Sequence, residues 1–242
     1  MGAAAGPDII EDGLVLCLDA ANRQSYAGSG TAWRDLAESN NGTLTNGPTF
    51  NSANGGSIVF DGSNDFVTIP NGNYLNTNSF TVSLWMYLNN IITAFTTYCF
   101  LNKNVYNTSG ISASLGTAGS TGSRRLAIRC STTENAALVF NFDPSASLVT
   151  FDAWHNVVLI FKYNVPNSQI LTYIDGIYSQ TSTPVSGTFV SNANALRVGS
   201  SAPGNGVYHK GKISSYQIYN RALTPAEITQ NYNATKGRFR LT

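Results

Sequence analysis

The stretch Phe80-Thr-Val-Ser-Leu-Trp-Met-Tyr-Leu88 decides the fold that this chain can adopt. Large apolar residues stand at every second position: Phe80, Val82, Leu84, Met86 and Leu88. The positions between them hold Thr81, Ser83, Trp85 and Tyr87, so the second face is less apolar. Alternation with period two is typical of a β-strand, because successive side chains point to opposite faces. The stretch therefore predicts a strand with one face in a hydrophobic core.

Similar short runs recur along the chain, separated by Asn-Gly and Asp-Gly pairs that favour tight reversals. Ile170–Ile174, the pair Asp175-Gly176 and Ile177–Gln180 together predict a hairpin. Further strands are predicted at Leu14–Leu18, Ser57–Phe60, Phe66–Ile69, Tyr98–Leu101, Gly110–Leu115, Leu126–Cys130, Leu138–Phe142, Trp154–Tyr163, Leu196–Val198 and Ile213–Tyr219. Many short strands without helical crossovers predict an all-β fold, a two-sheet antiparallel jelly-roll sandwich.

One short C-terminal helix is predicted to follow the last strand. Thr224-Pro225-Ala226-Glu227 has the form of a capping box with proline at the first helical position. Leu223 and Ile228 then occupy the two positions of a hydrophobic staple, and Lys236-Gly237 predicts the helix end. An isolated helix of this length is marginal in water, so we expect it to dock on the sandwich through Ile228 and Tyr232.

Composition and charge exclude several classes of protein. Only 11% of the 242 residues are charged, and the formal net charge is +1. The densest basic cluster, Arg124, Arg125 and Arg129, is small for the phosphate-neutralising face of a nucleic-acid-binding protein. The longest apolar runs, such as Leu14–Leu18, are too short to span a membrane, and no secretory signal precedes them. We therefore expect a protein made in the cytoplasm, with neither nucleic acid nor a membrane span.

Three cysteines, Cys17, Cys99 and Cys130, each lie in an apolar stretch. Free cysteine behaves as a small hydrophobic residue when it is buried. We predict three buried, reduced thiols, with a Cys99–Cys130 disulfide as the alternative.

Four segments, taken in order, carry a resemblance to a known family. The first two are Gly13–Asn22 and Phe60–Pro70, and the last is Gly211–Ile228. The third combines Phe80–Trp85 with the later pieces Trp154-His155 and Ile174–Gly176. From about Gly13 to Phe239 the chain resembles the laminin-G-like, concanavalin A-like lectin/glucanase sandwich domains. The resemblance implies a concanavalin A-like jelly roll. We expect residues 13–242 to form this single domain and residues 1–12 to form an N-terminal arm.

A narrower resemblance bears on function. Gly6–Ile10, Asn41–Gly56 and Gln230–Phe239 are similar to tailed-phage structural proteins that carry this domain. This implies a non-enzymatic virion component (a capsid decoration, fibre or tail-associated protein) that holds other virion proteins through its arm and adheres to a host surface. A homo-oligomer is compatible with that role. The alternative is a carbohydrate-binding module whose main role is glycan recognition.

Catalytic residues are not predicted. Glycoside hydrolysis needs two carboxylates at a fixed separation, and the glucanases of this superfamily carry them closely spaced on one strand. Here no predicted strand carries an acidic pair at i, i+2 or i+4. His155 and His209 are the two histidines, and we expect both to be structural.

Asp61 and Asp65 are the candidate metal ligands. The resemblance implies calcium at the sandwich rim, where Asp61 and Asp65 have a suitable spacing. The favoured alternative is that both aspartates shape a turn, because five residues cannot supply six ligands alone.

Glycan-binding sites in such folds use exposed aromatic residues surrounded by neutral amides. Trp85 and Tyr87, on the less apolar face of their strand, and Asn205 and Tyr208, in a late loop, are therefore the candidate ligand-binding residues. The favoured alternative for Trp85 is packing beneath a neighbouring strand or a covering element.

Overall fold

The alternating stretch Phe80–Leu88 forms the middle of one of two antiparallel sheets in the computed structural model. The structure describes residues 8–72, 75, 79–90, 97–105, 109–118, 123–133, 138–142, 149–162, 168–190, 192–201 and 206–241. Two eight-stranded sheets, A and B, pack face to face, and one helix follows the last strand. The expected all-β antiparallel sandwich with a short C-terminal helix is confirmed.

Sheet A runs in the order β14-β13-β12-β7-β16-β5-β4, with β1 also paired to β16. Its strands are β1 (Leu14–Asp19), β4 (Thr49–Asn51), β5 (Ser57–Asp61), β7 (Phe80–Leu88), β12 (Trp154–Lys162), β13 (Gln169–Ile174), β14 (Ile177–Thr181) and β16 (Lys210–Tyr219). Between β4 and β5 lies a single 3₁₀ turn, Ala53–Gly55.

Sheet B runs in the order β11-β10-β9-β8-β15-β6-β3-β2. Its strands are β2 (Ala32–Trp33), β3 (Gly42–Thr45), β6 (Phe66–Ile69), β8 (Thr97–Val105), β9 (Ser109–Ala118), β10 (Ser123–Cys130), β11 (Leu138–Phe142) and β15 (Leu196–Val198). Strands β2, β3 and β4 were not expected from the sequence, because each is short and has at most two large apolar residues. The hairpin at Asp175-Gly176 is confirmed, with φ of 52° and 75° at the two turn residues.

The main core lies between the sheets. The alternating apolar face of β7 is buried there, and Phe80 stacks on Phe161 of β12 with 4.4 Å between ring centroids. Trp33 of β2 is fully buried in the same core, so it holds the first long connection against the sandwich. Burial of such large aromatic side chains is a main source of stability in a fold of this kind.

A second layer covers the outer face of sheet A. Helix α1 (Pro225–Thr235) and the 3₁₀ turn Lys236–Phe239 lie across this face. They bury a second apolar cluster, made of Val158, Ile160, Tyr173, Tyr219, Leu223 and Ile228. A third cluster, made of Trp85, Trp154 and Phe239, is continuous with Tyr87, Tyr232 and Leu241. Strand β7 is therefore buried on both of its faces.

The two ends of α1 differ in how well the sequence predicted them. The capping box is confirmed, since the Thr224 N–H donates to Glu227 Oε2 at 2.8 Å and the Glu227 N–H donates back to Thr224 Oγ1 at 3.3 Å. The predicted glycine cap at Gly237 is wrong, because the chain continues into the 3₁₀ turn and only Arg240 adopts a left-handed φ of 57°. This extra turn brings Phe239 onto Trp85. None of the described helices is long and apolar enough to cross a membrane.

Part of the expected N-terminal arm contacts the domain. Residues 8–12 run along α1, where the Ile10 N–H donates to Asn231 Oδ1 at 2.8 Å and the Ile10 side chain packs on the second cluster. Contacts of this kind tie a terminal segment to its own domain. Residues 1–7, the rest of the predicted arm, lie outside the described residues.

All three cysteines are buried and free, so the predicted reduced thiols are confirmed and the Cys99–Cys130 disulfide is absent. Burial is the main cause that raises the pKa of each thiol to about 12. Because the thiolate is the reactive form, these cysteines are inert near neutral pH.

Helix docking can be measured with Ile228→Ala. Ile228 is 1% exposed in the second cluster, so truncation should lower the free energy of unfolding by roughly 2–4 kcal/mol. Thr229, the next residue, is exposed, and Thr229→Ala should change it by less than about 0.5 kcal/mol. Chemical denaturation of both variants gives the comparison. Equal and small losses would contradict the docked helix.

The cap of α1 predicts a pH dependence. Two hydrogen bonds from the Arg221 guanidinium, at 2.7 and 3.0 Å, are the main cause that lowers the pKa of Glu227 from 4.5 to about 2. A carboxyl with a lower pKa in the folded state stabilises it above pH 4.5, and this stabilisation is lost as the pH falls towards 2.

Glu227→Gln should keep the cap but lose the ion pair, so it should be less stable than the wild type by about 1 kcal/mol at pH 7. The difference should shrink as the pH approaches 2, and denaturant titrations at several pH values would measure it. Glu38→Gln, in an exposed loop, serves as the control. A difference that stays constant down to pH 2 would show that the carboxylate is not the source.

Candidate functional site

The outer surface of sheet B, here called the open face, lies on the side of the sandwich opposite to α1. Six polar residues lie directly opposite one another on six neighbouring strands of this sheet. In strand order this polar row consists of Arg129, Ser112, Asn102, Arg197, Thr68 and Thr43. Five strand spacings of about 4.8 Å give the row a length of about 24 Å.

The strand pattern places this row on the outside of the sandwich. Residues next to the row, such as Ile111, Ile128 and Val198, are buried in the main core. Because alternate side chains of a strand point to opposite faces, the row itself points away from that core. Arg129 and Thr43 are exposed, Asn102 alone in the row is buried, at 5% exposed, and the other members are half-buried.

The electrostatic character of this face is set by its two arginines. The Arg197 Cζ atom lies 4.7 Å from the centroid of the Phe66 ring. Phe66 is two positions before Thr68 on β6, so both side chains lie on the same face of the sheet. Arg129 lies at one end of the row, on β10, three strands away from Arg197. Sheet B contains no aspartate or glutamate in any of its eight strands. The open face therefore combines neutral hydroxyl and amide groups with two guanidinium groups.

Trp85 and Tyr87, two of the predicted ligand residues, lie on the other sheet. Trp85 is 2% exposed, its ring stacks on Phe239 at 4.3 Å, and its Nε1–H donates to Thr235 Oγ1 at 2.8 Å. Trp85 is thus closed to a ligand in this conformation, and the packing alternative describes it. Tyr87 is half-buried, with Lys212 Nζ 4.6 Å from its ring centroid, and its ligand role stays a prediction.

The other two predicted ligand residues belong to the connection after β15. Tyr208 is half-buried and forms an isolated β-bridge with Ser200. Ser200 follows Arg197 by three positions in the chain. Tyr208 therefore lies at the end of the strand that carries an arginine of the polar row. Asn205 lies outside the described residues. The four candidates do not converge on one site.

The loop Asp61–Asp65 has the geometry of a turn. Asp61 Oδ1 accepts the Ser63 N–H at 2.7 Å, and Asp65 Oδ2 accepts the Asp61 N–H at 3.0 Å. These bonds occupy one oxygen of each carboxylate, as in an Asx turn. Within the described ranges, no group of three or more His, Cys, Asp or Glu is placed to hold a metal ion. A calcium role for Asp61 and Asp65 stays a prediction.

A chain of hydrogen bonds links Asp175, His155 and Thr150, which resembles a catalytic arrangement in outline. His155 Nδ1 lies 2.7 Å from Asp175 Oδ2, and His155 Nε2 lies 3.0 Å from Thr150 Oγ1. The Thr150 backbone N–H also donates to His155 Nε2 at 3.0 Å. Because that donor occupies the lone pair of Nε2, this nitrogen is not free to take a proton from the hydroxyl. These hydrogen bonds hold the loop at Thr150 and the hairpin at Asp175 against β12.

The second histidine is also unsuited to acid–base work. His209 is fully buried and packs edge-on against Phe60, with 5.4 Å between ring centroids. Burial lowers its pKa to about 4, so the ring is neutral near pH 7. It has no contact with solvent through which a substrate proton could pass.

A polar cavity of about 260 Å³ lies where the C-terminal segment meets sheet A. Asp19, Gln217 and Arg238 are among the residues that line it. Arg238 binds the Asp19 carboxylate with both terminal nitrogens, one of them at 2.9 Å. Because these two charges pair with each other, they serve the docking of the C-terminal segment.

Sequence reasoning missed the polar row, because β15, β6 and β3 are far in the chain from the consecutive strands β8, β9 and β10. Several of these strands do carry a signal: a polar residue between two apolar ones, as in Ile111-Ser112-Ala113 or Leu196-Arg197-Val198. Such a triplet shows that a residue faces outward, but not which residues it will meet. That depends on strand order and register, which single strands do not fix.

Comparisons with solved structures support the fold. The binding domain of botulinum neurotoxin serotype D has a TM-score of 0.67 and 17% identity over 92% of this chain. The binding domain of Paraclostridial Mosquitocidal Protein 1 has a TM-score of 0.68 and 14% identity over 93% of this chain. This chain spans about half of those two structures, 51% and 52% respectively.

A third structure has nearly the same extent as this chain. Domain 4 of AbnA, a GH43 extracellular arabinanase from Geobacillus stearothermophilus, was solved in complex with arabinotriose. It has a TM-score of 0.63 and 19% identity, covering 90% of this chain and 98% of that domain. No curated protein sequence matches the chain.

Family membership follows from the sequence match and agrees with the architecture. The family model described as the Concanavalin A-like lectin/glucanases superfamily matches residues 61–229, which is more than half of the chain. The matched region runs from the end of β5 into α1 and includes most of both sheets. The chain belongs to the concanavalin A-like lectin/glucanase superfamily.

Proposed function

We propose that this chain is a non-enzymatic, lectin-like domain that binds carbohydrate on its open face and is displayed on a phage virion. The observation that carries the binding role is the polar row, which crosses six strands on the uncovered side of the sandwich. Hydroxyl, amide and guanidinium groups are suited to the many hydroxyl groups of a saccharide, since each can donate a hydrogen bond. The outer face of sheet A is closed to such a ligand by α1.

The absence of a catalytic pair on the open face supports a binding role rather than hydrolysis. A glycosidase places two carboxylates on either side of the bond that it cleaves. No strand of sheet B contains aspartate or glutamate, so a saccharide bound along the polar row would meet no such pair on the strands beneath it. The hydrogen bonds of His155, described above, are those of a structural residue.

The virion part of the proposal rests on sequence. Gly6–Ile10, Asn41–Gly56 and Gln230–Phe239 are the stretches similar to tailed-phage structural proteins. Because residues 8–12 pack on α1, we assign attachment to other virion proteins to residues 1–7. A homo-oligomer on the particle is part of the same proposal.

The binding role predicts that a bulky side chain in the middle of the row blocks glycans. Ser112 faces outward from β9, so Ser112→Tyr should leave the free energy of unfolding within about 0.5 kcal/mol of the wild type. It should abolish binding to every glycan that the wild type retains on a broad array. Lys162→Tyr, at the exposed end of β12 in sheet A, should bind as the wild type does. Undiminished binding by Ser112→Tyr, or no binding by the wild type, would overturn the proposal.

The virion role has a separate test. Peptide mass spectrometry of purified particles should detect the chain as a structural component. Deletion of residues 1–7 should abolish incorporation into particles, while the melting temperature of the isolated protein stays nearly unchanged. Full incorporation of the shortened chain would contradict the attachment that we assign to these residues.

A further inference from the structure

We infer that the open face selects acidic saccharides, and that its ligand is an oligosaccharide with at least two anionic groups, one bound by Arg129 and one by Arg197. This inference rests on the proposed binding function and names the class of ligand. The net charge of the chain is only +1, so the selection would come from where the charges lie and not from their sum.

The strands of sheet B lack acidic residues, whereas those of sheet A contain Asp19 and Asp61. The strands of sheet B contain Lys103, Arg124, Arg125, Arg129 and Arg197 but no aspartate or glutamate. Lys103 is 2% exposed and its Nζ donates to the Asn194 carbonyl at 2.8 Å, so it does not contribute to the surface. Like charges collected on one surface attract ligands of the opposite sign.

The arginines on the other side of the molecule are used differently. Arg221 binds Glu227 and Asp12, and Arg238 binds Asp19, so each is neutralised within the protein. By contrast, Arg129 and Arg197 form no ion pair and donate no side-chain hydrogen bond to any residue in the described ranges. Their guanidinium donors are available to a ligand.

Arg197 is also held in place without using those donors. Its Cζ atom lies 4.7 Å from the centroid of the Phe66 ring, a distance at which the cation and the ring attract each other. Contact with the ring restricts the long side chain, which lowers the conformational entropy lost when a ligand binds. A guanidinium held in this way pairs well with carboxylate or sulfate oxygens, because its planar fork donates two parallel hydrogen bonds.

The spacing of the two arginines sets the length of the ligand. Arg129 and Arg197 are separated by β9 and β8, which is three strand spacings or about 14 Å. One anionic group cannot contact both, so the ligand is a chain with acidic groups on separate sugar units. Ser112 lies between the arginines, where its hydroxyl meets the neutral hydroxyl groups of the intervening sugar, and Asn102 is buried beside it.

The neutral centre of the row favours a saccharide over a nucleic acid. Nucleic acids carry a phosphate at every nucleotide, and proteins that bind them gain affinity by neutralising many of these in succession. Here two charges are separated by an uncharged amide and hydroxyl. One face of the Phe66 ring, which lies beside the row, is already covered by Arg197 and is closed to a stacking base.

Isothermal titration with matched oligosaccharides tests the inference. The probes are a galacturonate oligomer longer than about 14 Å, the same oligomer with every carboxylate methyl-esterified, the galacturonate monomer and a sulfated galactan oligomer. An oligothymidylate of equal charge tests for unspecific anion binding. The proteins are the wild type, Arg129→Gln, Arg197→Gln and the control Lys162→Gln, whose charge lies at the exposed end of a strand in sheet A.

We expect at least one acidic oligomer to bind at least about tenfold more tightly than the ester and the monomer, because the ester lacks the charge and the monomer cannot span both arginines. Each arginine variant should weaken that binding about tenfold or more, whereas Lys162→Gln should not change it. Added salt should weaken the binding of the acidic oligomer and leave the binding of the ester unchanged. Whichever of the galacturonate and sulfated oligomers binds more tightly identifies the anionic group.

Three results would overturn the inference. They are equal affinity for an acidic oligomer and its ester, unchanged affinity in both arginine variants, and equal affinity for oligothymidylate. Neutral glycans could bind, lose binding in Ser112→Tyr, and have the same affinity as acidic ones. In that case the inference fails and the proposed carbohydrate-binding role survives. If no saccharide binds at all, both fail.

Discussion

The stack of Phe239 on Trp85, with 4.3 Å between ring centroids, closes the outer face of sheet A and makes the two sides of the sandwich unequal. Trp154 packs against the same phenylalanine at 4.6 Å, and Tyr232 lies over Trp85 at 5.7 Å. Two tryptophans on a solvent-facing sheet would otherwise form a large exposed apolar patch. With this patch covered by the chain itself, the two tryptophans are not available as a platform for a ligand on sheet A.

Strand register decides what that surface contains. A side chain changes face when pairing slips by one residue, so a slip of β15 against β8 would send Arg197 towards the main core. The flanking residues Leu196 and Val198 prevent this, because both are fully buried. The irregularity in β8 lies between Cys99 and Leu101 and ends before Asn102, which pairs directly with Ser112. The core therefore holds the polar row in position from beneath.

The sequence was most informative where a pattern is local. Period two identified β7, Asp175-Gly176 identified a hairpin, and Thr224–Glu227 identified the start of α1, because each depends on residues within one turn or strand. The left-handed residue after α1 was placed at Gly237 instead of Arg240, because the docking of Phe239 prolongs the helical path. Burial of Trp85 beneath that residue depends on a contact across more than one hundred positions, as does the polar row. Neither is visible in any short window of sequence.

The buried thiols have a consequence for the surroundings in which the fold persists. Cys17, Cys99 and Cys130 are each 5% exposed or less, and none is bonded to another. No covalent bond of the sandwich therefore forms or breaks when the redox potential around it changes. We therefore expect the same architecture in a reducing buffer and in air, and a single cysteine introduced on its surface to be the one that alkylating reagents reach.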